Sequence, residues 1–438
     1  MSGALDSLNL DHASGDVALI LDLERIVSEL MVEASALAAS SFLRPPLLPE
    51  AGDPVRAWHE EFTRLVAPRE PHLLKAVSFS IIQSCTDAIF PSCWMHEPRL
   101  IRYSNALWVR GHGALYDGIT GLALPGTFLT RFPYQREAPA CSEFRVEITC
   151  PADAFDRLDR AVLIPGAHCG DFGHFITETM AFLWPLFSGD RSEFEGAPVI
   201  LRGCNSAESS ASILYGLLRE AHAFPVLERD LPTVVCLKEV VVPGPTVRLR
   251  AGFSPIHLRT LSGLAQYLSA ADLDAESVPS ESPLVYLSRS GLGPQARRVD
   301  QEEALEALLS QMGWLIFRPE LHSLSMLIRV VRGASVLAGF EGSALHALGC
   351  VDQGVRLPAL ILLGDDPSPD YFLQFRAQKQ PGFFVQCTRL DPSSDWPVWM
   401  RPRLLNCAAE SLAKMIHDLA MSAALDARYQ MDAQVAGV

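Results

Sequence analysis

The sequence predicts an α/β protein in which two consecutive Rossmann-like units follow an N-terminal helical and β-rich accessory region. Three observations carry this expectation. From residue 161 onward, short apolar runs alternate with amphipathic helical stretches, the pattern left by parallel strands and their crossover helices. The alternation occurs twice, interrupted by a stretch rich in Ala, Asp, Glu and Ser over 269–283 that reads as a linker. Local turn chemistry agrees with the periodicity, most clearly in the second unit.

Residues 1–150 form the accessory region. The apolar run 17–23 leads into a helical pattern broken by Pro45, Pro46 and Pro49, and from about residue 76 the texture changes to short β-like runs punctuated by Gly and Pro. Residues 151–275 form the first unit, with strands at 161–165, 198–201 and 233–242 and helices over about 173–187, 207–222 and 257–269. Residues 283–400 form the second. Its first strand is 284–287; Asp300 then caps a helix, with Glu303 at capping-box spacing and Leu305, Leu308, Leu309 and Met312 as the apolar stripe before Gly313. Strand 314–317 follows, then a helix from Ser323 closed by Gly333, and strands at 334–338 and 357–363. A C-terminal helix within 401–438 is expected to pack back across the first unit.

Composition narrows the function. Apolar residues make up 49% of the 438 and charged residues 20%, ordinary globular usage that argues against disorder, collagen-like or coiled-coil structure. The sum of 36 basic and 51 acidic residues, a formal charge of -15, disfavours a nucleic-acid partner. A transmembrane segment is not expected, because a span needs roughly 18 to 20 apolar residues and the densest run, 179–187, is half that. The N-terminus has no basic stretch and carries an early acid, Asp6, so the expected compartment is the cytoplasm. Ten cysteines without a CxxC pair then read as reduced, mostly buried thiols rather than disulfides or a zinc site.

Three constellations could carry chemistry. The first, 165–178, runs from a strand into a helix and holds His168, Asp171, His174 and Glu178. Such a segment lies at the carboxyl edge of an α/β sheet, where ligands bind. His174 and Glu178, four residues apart, share a helix face. The same pattern fits Asp171 as a plain cap and His174 as a hydrogen-bonded core histidine. It also contains metal-ligand types, but their order is not HExxH and no cysteine stands at zinc spacing.

The second constellation is Ser288-Arg289-Ser290, with Gly291 and Gly293 and then Arg297-Arg298. Guanidinium groups directly after a strand suit a diphosphate, because their forked donors match phosphate oxygens. The alternative is a solvated loop with Arg298 paired to Glu302. The third, 338–346, is another strand-to-helix turn. Gly339 and Gly342 permit close backbone approach, the amides around Ser343 suit an anion, and His346 follows. Glu341 would repel a phosphate and reads instead as a ribose or sugar contact.

In this order the constellations resemble the glycosyltransferase 61 family. Its members tend to show an Asn/Asp-aromatic-x-His-Phe motif with an acid downstream, a Tyr-x-Ser-Arg strand followed by Arg-Arg and an acid-rich helix, and a closing Gly-x-x-Gly-Ser/Ala-x-Leu segment. The corresponding residues are Asp171-Phe172-Gly173-His174-Phe175 with Glu178, Tyr286-Leu287-Ser288-Arg289 with Arg297-Arg298 and Glu302-Glu303, and Gly339-Phe340-Glu341-Gly342-Ser343-Ala344-Leu345-His346. The sequence departs at Asp171, where Asn is frequent, at Glu178, where Asp is common, and at His346, where a smaller or amide residue is usual.

The resemblance implies a GT-B-like fold, two Rossmann-like domains facing across a cleft, the second holding a nucleotide-sugar donor and the first an acceptor. It implies inverting, metal-independent transfer to a glycan or lipid-linked acceptor, no cofactor beyond the donor itself, and leaves peripheral membrane contact open. Glu178, His174 and Asp171 are then the candidates for the catalytic base. Arg289, Arg297, Arg298, Glu341, Gly342, Ser343 and His346 are the candidate donor-binding residues. A non-catalytic nucleotide or sugar-phosphate binding protein and a metal-dependent hydrolase are the competing readings.

Overall fold

Strands covered on both faces must be apolar throughout, and the runs 161–164, 336–340 and 359–363 are each buried at every position. They form the centres of two separate sheets. The computed structural model describes residues 19–21, 54–67, 74–83, 97–110, 112, 114–127, 146–148 and 156–435, less 171, 205–209, 250–251, 272–282, 294–297, 353, 366 and 396–400.

In chain order the strands of the two main sheets are β1 (Lys75–Ser78), β2 (Leu100–Val109), β3 (Leu115–Asp117), β4 (Asp156–Leu158), β5 (Ala161–Ile164), β6 (Pro198–Leu201), β7 (Phe224–Leu227), β8 (Val234–Pro243), β9 (Leu284–Leu287), β10 (Leu315–Phe317), β11 (Val336–Phe340), β12 (Ala359–Leu363) and β13 (Gly382–Gln386). The helices used below are α1 (Pro54–Val66), α2 (172–182), α3 (Ala211–Glu220), α4 (Pro255–Ala271), α5 (Glu302–Gln311), α6 (Leu324–Gly333), α7 (Asp370–Gln378) and α8 (Ala409–Val435).

The first sheet runs β3-β2-β8-β5-β6-β7, with β4 also paired to β8. β8, β5, β6 and β7 are mutually parallel, in the Rossmann order 3-2-1-4, and β2 and β3 extend the sheet antiparallel. The second sheet runs β10-β9-β11-β12-β13-β1, parallel in the doubly wound order 2-1-3-4-5 until β1 closes its edge antiparallel. In each sheet the order reverses once, between β5 and β8 in the first and between β9 and β11 in the second. Ligands of open α/β sheets bind outside the carboxyl ends of the strands at such reversals. The first constellation follows β5, the second follows β9 and the third follows β11.

Several expectations are corrected. Residues 1–150 do not form a separate accessory region among the described residues: β2 pairs with β8 along nearly its whole length, and β1 joins the second sheet. Helix α1 belongs there too, with Phe62 packed edge-on against Phe384 at 5.6 Å. The run 17–23 supplies a short strand, Leu19–Leu21, paired with Val146–Ile148; the helical pattern expected between it and residue 54 lies outside the described residues.

Asp300 does not cap α5. The chain passes through left-handed Gln301 (φ 62°), and the Asp300 amide instead bonds the Arg403 carbonyl, which draws Asp300 away from the cap position. Ser323 does cap α6, its hydroxyl accepting from the Met326 amide at 3.2 Å. The C-terminal helix does not return to the first unit. Its stripe of Leu412, Ala413, Ile416 and Ala420 shares a core with Leu305 and Leu309 of α5 and with Val336 and Leu360 of the second sheet.

Candidate active site

Helix α2 is not regular. Phe172–His174 and Met180–Phe182 are α-helical, and Phe175–Thr179 between them forms a π-helical turn in which the Met180 amide reaches back to the Phe175 carbonyl. π-turns recur at functional sites because they re-aim side chains at the expense of regular bonding. Here the neighbouring bonds are replaced by side chains: the Thr177 hydroxyl donates to the Gly173 carbonyl at 2.7 Å, and Thr179 Oγ1 both accepts from the His168 amide (2.7 Å) and donates to its carbonyl (2.9 Å).

The outcome is a carboxylate set between two imidazoles. Glu178 is 5% exposed, and its Oε2 accepts from His174 Nδ1 at 2.5 Å; His168 Nε2 lies 3.9 Å from the same oxygen. Glu178 Oε1 is buried without a hydrogen-bond partner, so the imidazole is the carboxylate's principal stabiliser. His174 is 39% exposed. A buried acid bonded to Nδ1 of an accessible histidine leaves Nε2 as the proton-accepting edge, the arrangement by which carboxylates fix imidazole bases. Asp171 lies outside the described residues.

On the second sheet, Arg289 crosses from the end of β9 to the end of β11. Its guanidinium donates to the Glu341 carbonyl and lies against Gly342, where a Cβ would stand 2.6 Å from Nη1; only glycine leaves room for that approach. The helix expected after Gly342 is present as a 3-10 helix, Ser343–Cys350.

Other donor-binding candidates sit differently. Glu341 is buried, its Oε1 paired with Arg403 Nη2 at 3.0 Å and its Oε2 accepting from the Ser368 amide at 3.1 Å. The carboxylate is thus engaged by Arg403 and the Ser368 amide. Arg298 is 53% exposed and pairs with Glu303 at 3.0 Å, not with Glu302. His346 is buried, hydrogen-bonded to Gln374 at 3.0 Å and stacked on Tyr371 with centroids 4.8 Å apart. Arg297 lies outside the described residues.

The two halves touch. Phe175 and Ile176 of α2 share a core with Cys350 and Ile328, and α4 packs on the same 3-10 turn, where Leu261 fills the space beside Gly349. Beneath this contact is His257, whose Nδ1 meets Thr246 Oγ1 at 2.7 Å. Complete burial depresses its pKa to about 3, so the ring is neutral.

Sequence reasoning missed Arg403, Tyr371 and Gln374, which lie 25 to 62 residues from their partners Glu341 and His346 and carry no motif. It met Glu302 as a possible partner of Arg298 and as part of the acid-rich helix of the resemblance, without a role for it. No group of three His, Cys, Asp or Glu side chains is assembled for a metal among the described residues. Nor is any described helix long and apolar enough to cross a membrane.

Residues 172–357 match the family model described as Glycosyltransferase 61, a span that takes in α2, the Arg289 turn, α5 and the Ser343–Cys350 turn. The chain is therefore a glycosyltransferase, an enzyme that moves a sugar from a donor to a glycan acceptor. The matched stretch, which holds the second and third constellations and the end of the first, is similar to the glycosyltransferase 61 family. No curated protein gives a significant match to the chain.

Proposed function

We propose that the enzyme takes its sugar from a nucleotide-sugar donor and transfers it by a single inverting displacement, with the two Rossmann-like units acting as the facing halves of a GT-B-like site. The observation that carries this reading is the packing of the His174 helix on the Ser343–Cys350 turn, which brings an acid-fixed imidazole and an arginine-lined glycine turn into one neighbourhood. His174 Nε2 takes the proton of the acceptor hydroxyl as that oxygen attacks the anomeric carbon, and Glu178 stabilises the imidazolium that forms. The bond from the anomeric carbon to the diphosphate oxygen breaks, and the charge gathering on the departing diphosphate is met by Arg289. A fixed guanidinium supplies there the counter-charge that a divalent cation supplies in other transferases, so we extend the reading to metal-independent transfer.

The acceptor is a hydroxyl of a glycan or of a lipid-linked glycan, and the compartment the cytoplasm. A panel of UDP-, GDP-, CMP- and dTDP-linked sugars, screened first by thermal shift and then for transfer to glycan acceptors, tests the proposal. The expected result is stabilisation by one nucleotide class, and transfer that is retained after dialysis against chelator. Stabilisation by none of the four, or activity restored only by added metal, would overturn it.

A further inference from the structure

Two buried acids stand one turn apart on α5, and both reach the turn that carries Arg289. Glu302 Oε1 accepts from the Arg289 amide at 2.9 Å and from the Tyr286 hydroxyl at 3.1 Å. Glu306 Oε1 accepts from the Ser288 hydroxyl at 2.6 Å, and its Oε2 from Arg318 Nη2 at 2.9 Å. The remaining amides of the turn are also occupied: Ser288 donates to the Phe317 carbonyl at 2.8 Å and Ser290 to Ser288 Oγ at 3.2 Å. The turn is therefore not an anion-binding nest of backbone amides. All three of its N–H groups face protein acceptors, which leaves the Arg289 side chain as its contribution to an anion.

Burying carboxyl groups is unfavourable unless they are well hydrogen-bonded. A single neutral acceptor would satisfy the Arg289 amide. Instead two acids grip successive residues of one short segment, from one rigid helix. Glu302 fixes the backbone of Arg289, Glu306 fixes Ser288 and the end of β10 beside it, and the Glu341 carbonyl fixes the guanidinium at the far end. An arginine held at both ends loses less freedom on binding an anion than one waving in solvent.

We propose that Glu302 and Glu306 are the positioning residues of the diphosphate site: they pre-set Arg289 over Gly342, and without them the guanidinium is present but misplaced. This rests on the reading of Arg289 as the donor's diphosphate contact.

The test uses inorganic pyrophosphate as probe, titrated calorimetrically into the full chain and into Arg289→Ala, Glu302→Ala, Glu302→Gln, Glu306→Ala, Ser288→Ala and the Ser288→Ala/Glu306→Ala double variant, with melting temperatures measured alongside. Arg289→Ala should abolish binding. Glu302→Ala and Glu306→Ala should weaken it about tenfold or more, the size of one lost buried hydrogen bond. Glu302→Gln, which keeps an oxygen for the Arg289 amide and Tyr286, should restore affinity to within about threefold of wild type. Ser288→Ala should weaken binding as well, and the double variant should lose less than the two single losses combined, because the Ser288–Glu306 bond is common to both.

If wild type binds pyrophosphate through Arg289 but the folded Glu302→Ala and Ser288→Ala proteins bind it equally well, the positioning role is overturned and the donor site stands. If wild type does not bind it, or Arg289→Ala binds unchanged, the donor reading itself fails and this inference with it. Should Glu302→Ala or Glu306→Ala not fold, Glu302→Gln and Ser288→Ala decide: Ser288→Ala at wild-type affinity, or Glu302→Gln as weak as Arg289→Ala, overturns the proposal.

Discussion

Arg403 places Nη2 3.0 Å from Glu341 Oε1, and both side chains are 7% exposed, so the end of β11 is braced by a buried ion pair formed with the short strand Arg403–Leu405. The guanidinium reaches that position across Gly364, where a Cβ would stand 1.0 Å from Nη1. Gly364→Ala should expel Arg403, leave Glu341 unpaired and destabilise the fold by about 3 kcal/mol. Gly189→Ala, with open space around the new methyl, is the control and should be near neutral. Urea denaturation of the two variants checks the difference.

The short bond between His174 and Glu178 predicts unequal losses. His174→Ala removes the proposed base and should lower turnover about a hundredfold or more. Glu178→Gln keeps the ring in place but withdraws the charge that stabilises the imidazolium, and should lower turnover by about tenfold to a hundredfold. Binding of the nucleotide product should change in neither. Parallel kinetic and calorimetric measurements on the two variants decide the matter.

Arg289 and Arg298 looked equivalent in sequence, and the structure separates them. Arg289 is tied to the backbone at Glu341, whereas Arg298 pairs with Glu303 on an exposed surface. Exposed pairs contribute little. Arg298→Ala should therefore alter nucleotide affinity by no more than about threefold, while Arg289→Ala should reduce it at least about thirtyfold. Equilibrium binding of nucleoside diphosphates to both proteins distinguishes the cases.

Burial raises the Glu302 carboxyl from 4.5 to about 7, against the Arg289 amide, the Arg289 charge and the Tyr286 hydroxyl, which all pull it down, and with neighbouring Glu306 raising it further. Between those two values the folded protein holds a proton that the unfolded chain has released. Stability from this group is thus greatest below pH 4.5 and falls as pH rises toward about 7, by on the order of 3 kcal/mol. Glu302→Gln lacks that slope. Its melting temperature, relative to wild type, should be higher at pH 8 than at pH 5, which a pH series of thermal melts measures.

Much of this was legible in the sequence, for identifiable reasons. Strands β5, β11 and β12 are apolar at every position because both faces are covered, so short runs sufficed to locate them. His174 and Glu178 were paired correctly because four residues along a helix is a local distance. Long-range partnerships were not legible. The pairing of β1 with β13, and of Arg403 with Glu341, depends on the tertiary fold and leaves no periodic trace. The Asp300 cap failed because a local motif was overridden by one backbone bond to residue 403.

Among the described residues Cys169, Cys204, Cys236, Cys350, Cys387 and Cys407 form no disulfide. Two of them are nonetheless adjacent. Cys169, next to His168, has its sulfur 3.7 Å from that of Cys204, too long for a bond of about 2.05 Å but within reach of side-chain rotation. Treatment with a two-electron oxidant such as diamide should join this pair first, at the cost of two titratable thiols. Peptide mapping by mass spectrometry identifies which thiols are lost.

Strands contributed from before residue 151 have a practical consequence. A fragment starting at residue 151 would strip β1 from β13 and β2 from β8, baring an edge on each sheet where another chain can add, so such a fragment should aggregate. Within the intact chain, β1 leaves the ribosome roughly 300 residues before the partner it pairs with. The edge of the second sheet therefore cannot be sealed until residues 382–386 have been synthesised, long after the strand that seals it.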